Sequence, residues 1–304
     1  MPSQAEFLNT IIKPRQEQLK NALVIQDEGH SVWTKTPDGK ALSPGCLACK
    51  TGAWMCIYVG RKCNAECDYC PQGSMADKNA HRDDEQSTRY MPINTVKYLI
   101  SKQAEKVTGI SYSGGEPLLY LPKIIDIATY ASSHNPTAYQ WLYTNGLLLH
   151  EENLRQLQDL HIQEIRVHLG ATHFSDEVID NMKSAARYLP SVNVETPAVP
   201  SAKEHLLAKG KIHILQELGV KQINLSELMF YGEASNQYLG DADVYEYSSP
   251  FFKVTSPTYS REITYDIMEY AMKHNLNMII NDCSNDAKRW QQTMCRKNRI
   301  RLQC

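Results

Sequence analysis

Three cysteines in the stretch CNAECDYC, Cys63, Cys67 and Cys70, stand close enough to share one metal centre. Thiolates are soft ligands that suit zinc and iron–sulfur clusters, and closed protein sites for either use four ligands. A set of three leaves one coordination position for something other than the chain. Cys67 and Cys70 are three apart, so one helical turn puts both on the same side, and Asn64 and Asp68 suit a cap or tight turn beside them. A zinc reading needs a fourth ligand, and His81 is the nearest histidine on the C-terminal side. A second motif, SYSGGEP at residues 111–117, follows a β-like run. Gly114 and Gly115 let backbone approach a ligand closely, Glu116 adds a carboxylate, and Pro117 ends the extended stretch.

The elements that must position these groups read as alternating strands and helices. Short β-rich runs occur at residues 54–60, 109–114, 139–146, 164–170, 191–199, 221–228 and 276–282, with amphipathic segments such as INTVKYLISKQAEK and EENLRQLQDLH between them. Such repetition with short connections predicts an α/β fold, a parallel sheet with helices outside. Six or seven units favour a partial or complete (β/α) barrel, in which chemistry gathers at the C-terminal ends of the strands. Both motifs fall there. Residues 1–25 read as helical, residues 30–45 as a hairpin around Pro-Asp-Gly, and SPTYSRE at 256–262 as a loop. The expected domains are an N-terminal extension over 1–52, a barrel core over 53–282 and a helical tail over 283–304.

Composition bounds the function. A net charge of -2 over 304 residues gives no general argument for nucleic acid or an anionic membrane. No apolar run reaches the roughly 18 residues of a membrane span, and the polar first 20 residues lack the apolar core of a signal peptide. A cytoplasmic protein is expected. In a reducing compartment its nine cysteines read as metal ligands before disulfides.

Cys-x3-Cys-x2-Cys with Tyr69 before the third cysteine, followed at residues 114–117 by Gly-Gly-Glu-Pro, resembles the radical S-adenosylmethionine (SAM) superfamily, and the resemblance covers residues 53 to 230 in order and spacing. It implies a [4Fe–4S] cluster on Cys63, Cys67 and Cys70, with SAM chelating the open iron through its amino and carboxylate groups. One electron, from a donor such as flavodoxin or ferredoxin, would cleave the S–C5′ bond. The resulting 5′-deoxyadenosyl radical would abstract hydrogen from a small-molecule or peptide substrate. The resemblance also implies that Gly114, Gly115 and Glu116, with Pro117 closing the motif, contact the methionine amino group. Tyr69 would lie near the adenine, Thr144 and Asn145 of YTNG would face the SAM pocket, and Val199 would follow strand five beside the adenine. His168 and Glu195, near later strand ends, are candidates for the same pocket.

Cys46, Cys49 and Cys56 precede the core, and the Cys-x2-Cys pair is a common half-site for zinc or a cluster. The expected fourth partner is Cys283, after the last strand, with Cys295 and Cys304 less constrained. The alternative is that these are free buried thiols, which pack as small hydrophobes. In KQINLSELMFYGEASN, Asn224 and Ser226 alternate with apolar residues, so they share one strand face. With Glu227 and Lys288 they are the substrate-side candidates, set against a capped loop and a solvated helix face. This segment and DCSNDAKRWQQ resemble a branch of the superfamily similar to pyruvate formate-lyase activating enzymes. That leaves two functions open, a radical SAM enzyme on a small molecule or peptide, and an activase placing a glycyl radical on a partner protein.

Overall fold

The protein was described from a computed structural model, which covers residues 3–67, 69–70, 91–230 and 241–301. Asp68, His81 and Cys304 lie outside the described residues. The chain divides into two compact units, residues 42–194 with 291–304, and residues 1–41 with 195–290.

The first unit holds parallel strands β3 (Trp54–Tyr58), β4 (Gly109–Ser113), β5 (Tyr139–Thr144), β6 (Glu164–Val167) and most of β7 (Ser191–Pro197), each paired with the next in chain order. Helices fill the connections. In Ile93–Gln103 the buried residues Val96, Leu99, Ile100 and Gln103 recur at helical spacing, which lays one stripe against the sheet. In Asp176–Ala185, Ser175 caps the first turn by accepting the Val178 N–H, and Val178, Ile179, Met182 and Ala185 are buried.

The opposite face of these strands is polar and aromatic. Arg166 donates to Glu164 at 2.9 Å and to Ser43 Oγ at 3.1 Å, lies 4.9 Å over the Trp141 ring, and shares Glu164 Oε1 with Asn193 Nδ2. The helix Pro44–Thr51 lies against this face at the strands' N-terminal ends. A Cβ at Gly109 would come within 2.6 Å of the Ala48 methyl and 2.8 Å of the Trp141 ring, so glycine there lets the helix approach, and one at Gly45 would press on the Arg166 guanidinium.

The second unit orders its strands β1 (Leu23–Gln26), β2 (Ser31–Thr34), β11 (Ile279–Cys283) and β8 (Gln222–Ser226). β11 runs parallel to β8, and β2 antiparallel to β11 and β1. A separate antiparallel hairpin joins β9 (Val244–Ser248) and β10 (Lys253–Pro257).

Two expectations are corrected here. The hairpin is β1–β2, turning through Asp27 to Gly29 at positive φ, and not residues 30–45. Its expected second arm runs instead into Ser43 and Pro44, which cap and start a helix. SPTYSRE is not a loop either. Pro257 ends β10, and the helix Thr258–Lys273 begins at the next residue. No described helix is long and apolar enough to cross a membrane.

Candidate active site

The Gly-Gly-Glu turn leaves β4 and packs on the chain that leaves β3. Gly115 N–H donates to the Gly60 carbonyl at 2.8 Å and Glu116 N–H to the Lys62 carbonyl at 2.7 Å. A Cβ at Gly114 would meet the Gly60 carbonyl oxygen at 2.4 Å, and one at Gly115 the Lys62 carbonyl oxygen at 2.3 Å. These contacts are between backbones, so no side-chain adjustment could relieve them. The glycines seat the carboxylate turn directly on the stem of the cysteine loop.

Glu116 is fully buried. Its Oε1 accepts from Leu118 N–H at 3.0 Å and Thr144 Oγ1 at 2.9 Å, and its Oε2 from Asn145 N–H at 2.7 Å. Burial pushes its carboxyl up to about 7 against those three hydrogen bonds, and no cation among the described residues contributes. Asn145 carries the connection onward, its Nδ2 donating to Asn64 Oδ1 at 2.7 Å and reaching Cys63 Sγ at 3.8 Å.

Cys63, Cys67 and Cys70 are in no disulfide and all partly exposed. Cys70 N–H donates to the Cys67 carbonyl at 3.0 Å, the turn that their spacing predicts. Burial pushes the Cys63 thiol up, and the negative charges of Glu116 and Cys70 add to this, so the three groups lie within electrostatic reach. Tyr69 sits edge-on to His168, ring centroids 5.9 Å apart. His168 follows β6, and burial holds its imidazole down at about 4, neutral across the physiological range.

Among the described residues no group of three or more His, Cys, Asp or Glu side chains is arranged as a ready metal site. The donor set nonetheless fits a cluster with one open iron, because three thiols outside any disulfide share one loop and, among the described residues, no further metal-ligand group is arranged with them. Among the described residues Glu116 is served only by neutral donors, so the ammonium of a ligand such as SAM would suit it.

The other candidates divide. Cys46 and Cys49 are buried and outside any disulfide on the helix Pro44–Thr51, which stays at the N-terminal ends of the strands, the end opposite Glu116 and Asn145. Cys56, on β3, is disulfide-bonded, which leaves it no thiolate to offer while that bond stands. Cys295 is buried near the Trp54 carbonyl.

In the second unit Cys283 ends β11 and accepts from Asn281 Nδ2 at 3.2 Å. Asn224 is buried, donates to Glu195 at 3.0 Å and accepts from Asn281 at 2.8 Å. Ser226, the next residue on that face, is partly exposed. Glu227 points the other way, as alternation requires. It is buried, accepts from the Tyr245 hydroxyl and from Asn285 N–H at 2.7 Å, and has Arg261 at 3.9 Å. These contacts tie Glu227 into the packing of the second unit. Lys288 donates to the Glu227 carbonyl at 2.9 Å, and burial lowers its pKa against the charges of Glu227, Cys283 and Glu195. Val199 is buried and caps the short helix Pro200–Lys203.

Sequence reasoning missed Arg261, Tyr245 and Tyr120. The first two act across more than 15 residues of sequence, and Tyr120 lies in a single 3₁₀ turn with no periodic signal.

Residues 57–195 match the model of the radical SAM superfamily. That stretch, a little under half of the chain, belongs to the superfamily. The match implies SAM and a [4Fe–4S] cluster. A Methanocaldococcus jannaschii protein, MJ0021, provisionally named a glycyl-radical enzyme activating enzyme, is 24% identical over 213 residues, 67% of this chain and 56% of that protein. An uncharacterized protein of the same organism, MJ0804, is 26% identical over 59% of each. The chain thus spans a little over half the length of the curated relatives it matches. Streptococcus suis SuiB bound to S-adenosylmethionine superposes with a TM-score of 0.52 at 12% identity, over 92% of this chain and 61% of that one. That likeness shows the fold, an α/β barrel of the radical SAM type.

Proposed function

We propose that the chain is a radical SAM enzyme that cleaves SAM reductively and abstracts hydrogen from a small-molecule or peptide substrate, drawing its electron from a donor such as flavodoxin or ferredoxin. Cys63, Cys67 and Cys70 would hold the cluster. When bound, the cluster and SAM supply one-electron cleavage of the S–C5′ bond and a 5′-deoxyadenosyl radical. The chain's residues orient and desolvate. Glu116 takes the amino group of SAM, Thr144 and Asn145 hold that carboxylate in place, and Tyr69 with neutral His168 offers an aromatic, uncharged wall. The observation that carries this reading is Glu116, a fully buried carboxylate with three neutral donors and, among the described residues, no cation, seated on the stem of a three-thiol loop.

Asn224, Ser226, Glu227 and Lys288 are the proposed substrate-side residues, with Asn224 and Ser226 on one polar strand face, and Glu195, which accepts from Asn224, is kept as a candidate for the SAM pocket. A second iron–sulfur cluster is part of the proposal. Cys46 and Cys49 offer two of its thiols, and at the N-terminal strand ends such a cluster would suit electron relay or structure. The activase reading keeps one specific support, the provisional name of MJ0021. Anaerobic reconstitution followed by iron analysis and assay of 5′-deoxyadenosine tests the proposal. About four irons per chain indicate one cluster and about eight indicate two; no iron and no 5′-deoxyadenosine would overturn it. Loss of iron in a Cys46→Ala, Cys49→Ala variant would support the second cluster, and unchanged iron would refute it.

A further inference from the structure

The stem of the cysteine loop, Val59 to Lys62, is gripped from one side by consecutive parts of the chain after β4. Two of the grips are the Gly115 and Glu116 N–H groups already described. Two more come from beyond the motif. The Tyr120 hydroxyl accepts the Lys62 N–H at 2.7 Å, and Lys123 Nζ donates to the Val59 carbonyl at 2.8 Å. Gly60 fits only because it has no side chain, as a Cβ there would come within 2.1 Å of the Tyr120 ring. Lys62 therefore has both backbone groups fixed, its carbonyl by Glu116 and its N–H by Tyr120, one residue before the first thiol.

We propose that Tyr120 is a positioning residue that sets Cys63 relative to Glu116, and so couples cluster binding to SAM binding. The proposal rests on the reading that Cys63, Cys67 and Cys70 hold the cluster. The physical reason is register. Lys62 is the last residue of the stem before Cys63, and backbone fixed at both its polar groups cannot rotate about the Lys62 peptide without breaking a hydrogen bond. The same stem bears on Glu116 through its N–H, and Glu116 reaches Cys63 through Asn145. A slack stem would move the first thiol away from the carboxylate that meets the ligand on its iron.

Tyr120→Phe removes the hydroxyl and keeps the ring against Gly60. Tyr112→Phe is the control, because Tyr112 is a tyrosine of the same region, more deeply buried than the half-buried Tyr120, and its hydroxyl bonds Gln140 at 2.6 Å rather than the stem. Both variants and the wild type are reconstituted without oxygen. Cluster loss to a chelator is timed by absorbance, and SAM is titrated against the electron paramagnetic resonance signal of the reduced protein. Tyr120→Phe should lose its cluster several-fold faster and need about two- to tenfold more SAM to shift the signal, the worth of one hydrogen bond. Tyr112→Phe should match the wild type in both, even if it melts lower. Gly60→Ala tests the same contact from the other side and should show the same two losses. Tyr120→Phe and Tyr112→Phe behaving alike in both readouts would overturn the proposal, as would Gly60→Ala behaving as wild type. A wild type that takes up no iron would refute the cluster reading instead.

Discussion

Two buried carboxylates, one in each unit, show how similar burial can serve different ends. Glu116 and Glu227 are both essentially inaccessible, each accepts a backbone N–H at 2.7 Å, and burial raises the pKa of both. They differ in the charge supplied to them. Glu227 has Arg261 at 3.9 Å and Lys288 among its influences, while Arg261 also pairs with Asp282 at 2.9 Å. Among the described residues Glu116 has neutral donors only. A carboxylate whose cation is built into the fold is part of the packing. One held ready by dipoles alone, beside thiols outside any disulfide, is matched to a cation that arrives with a ligand.

The largest expected effect tests the thiols that give Glu116 its setting. Replacing Cys63, Cys67 and Cys70 together with Ala should abolish 5′-deoxyadenosine formation, since no thiolate remains to hold a cluster. Product at the wild-type rate from the triple variant would break the comparison at its root.

Next comes the packed carboxylate. Arg261→Met leaves Glu227 and Asp282 buried without their shared cation, and breaking a buried pair in this way costs about 3–5 kcal/mol. Urea unfolding of the metal-free protein should show a loss of that order, and SAM affinity at a temperature where the variant is folded should stay within about twofold. A stable variant with lost SAM binding would reverse the roles assigned to the two carboxylates.

Glu116→Gln should do the opposite. It keeps the shape and removes the charge, so SAM affinity should fall about ten- to a hundredfold, the worth of a charge-assisted hydrogen bond at roughly 1.5–3 kcal/mol. Iron content should hold. Equilibrium dialysis with labelled SAM measures the first and metal analysis the second; intact affinity with depleted iron would assign Glu116 to the cluster loop instead.

Much of this arrangement was readable in advance, for a local reason. Each parallel strand is a short apolar or aromatic run bounded by polar residues, Gly or Pro, so β3 to β8 and β11 fall within the runs expected, give or take one or two residues. The chemical residues of the first unit also cluster in sequence, at the ends of β3, β4 and β5. The second unit was harder because its logic is long-range. Glu227 alternates with Ser226 on the strand, yet its partners Tyr245, Arg261 and Asn285 arrive from three later elements. The alternation of Val244 to Ser248 stood in plain view, but its strand partner follows only four residues later and closes a hairpin apart from the main strands.

The smallest expected effect is a pH dependence in which two buried groups oppose one another. In the metal-free protein the Glu116 carboxyl is raised from 4.5 to about 7, so between those values the folded state binds more protons than the unfolded state. Stability from this group therefore falls as pH rises from 4.5 to 7. His168 is lowered from 6.5 to about 4, so the folded state binds fewer protons there, and its contribution rises with pH from 4 to 6.5. The two slopes oppose between 4.5 and 6.5. The variants separate them. Relative to wild type, Glu116→Gln should gain stability as pH rises through that window, and His168→Gln should lose it. Urea midpoints at pH 5 and pH 6.5 for the three proteins measure both differences. Parallel curves for wild type and Glu116→Gln would mean that the carboxyl is already compensated in the folded chain, and the contrast with Glu227 would then disappear.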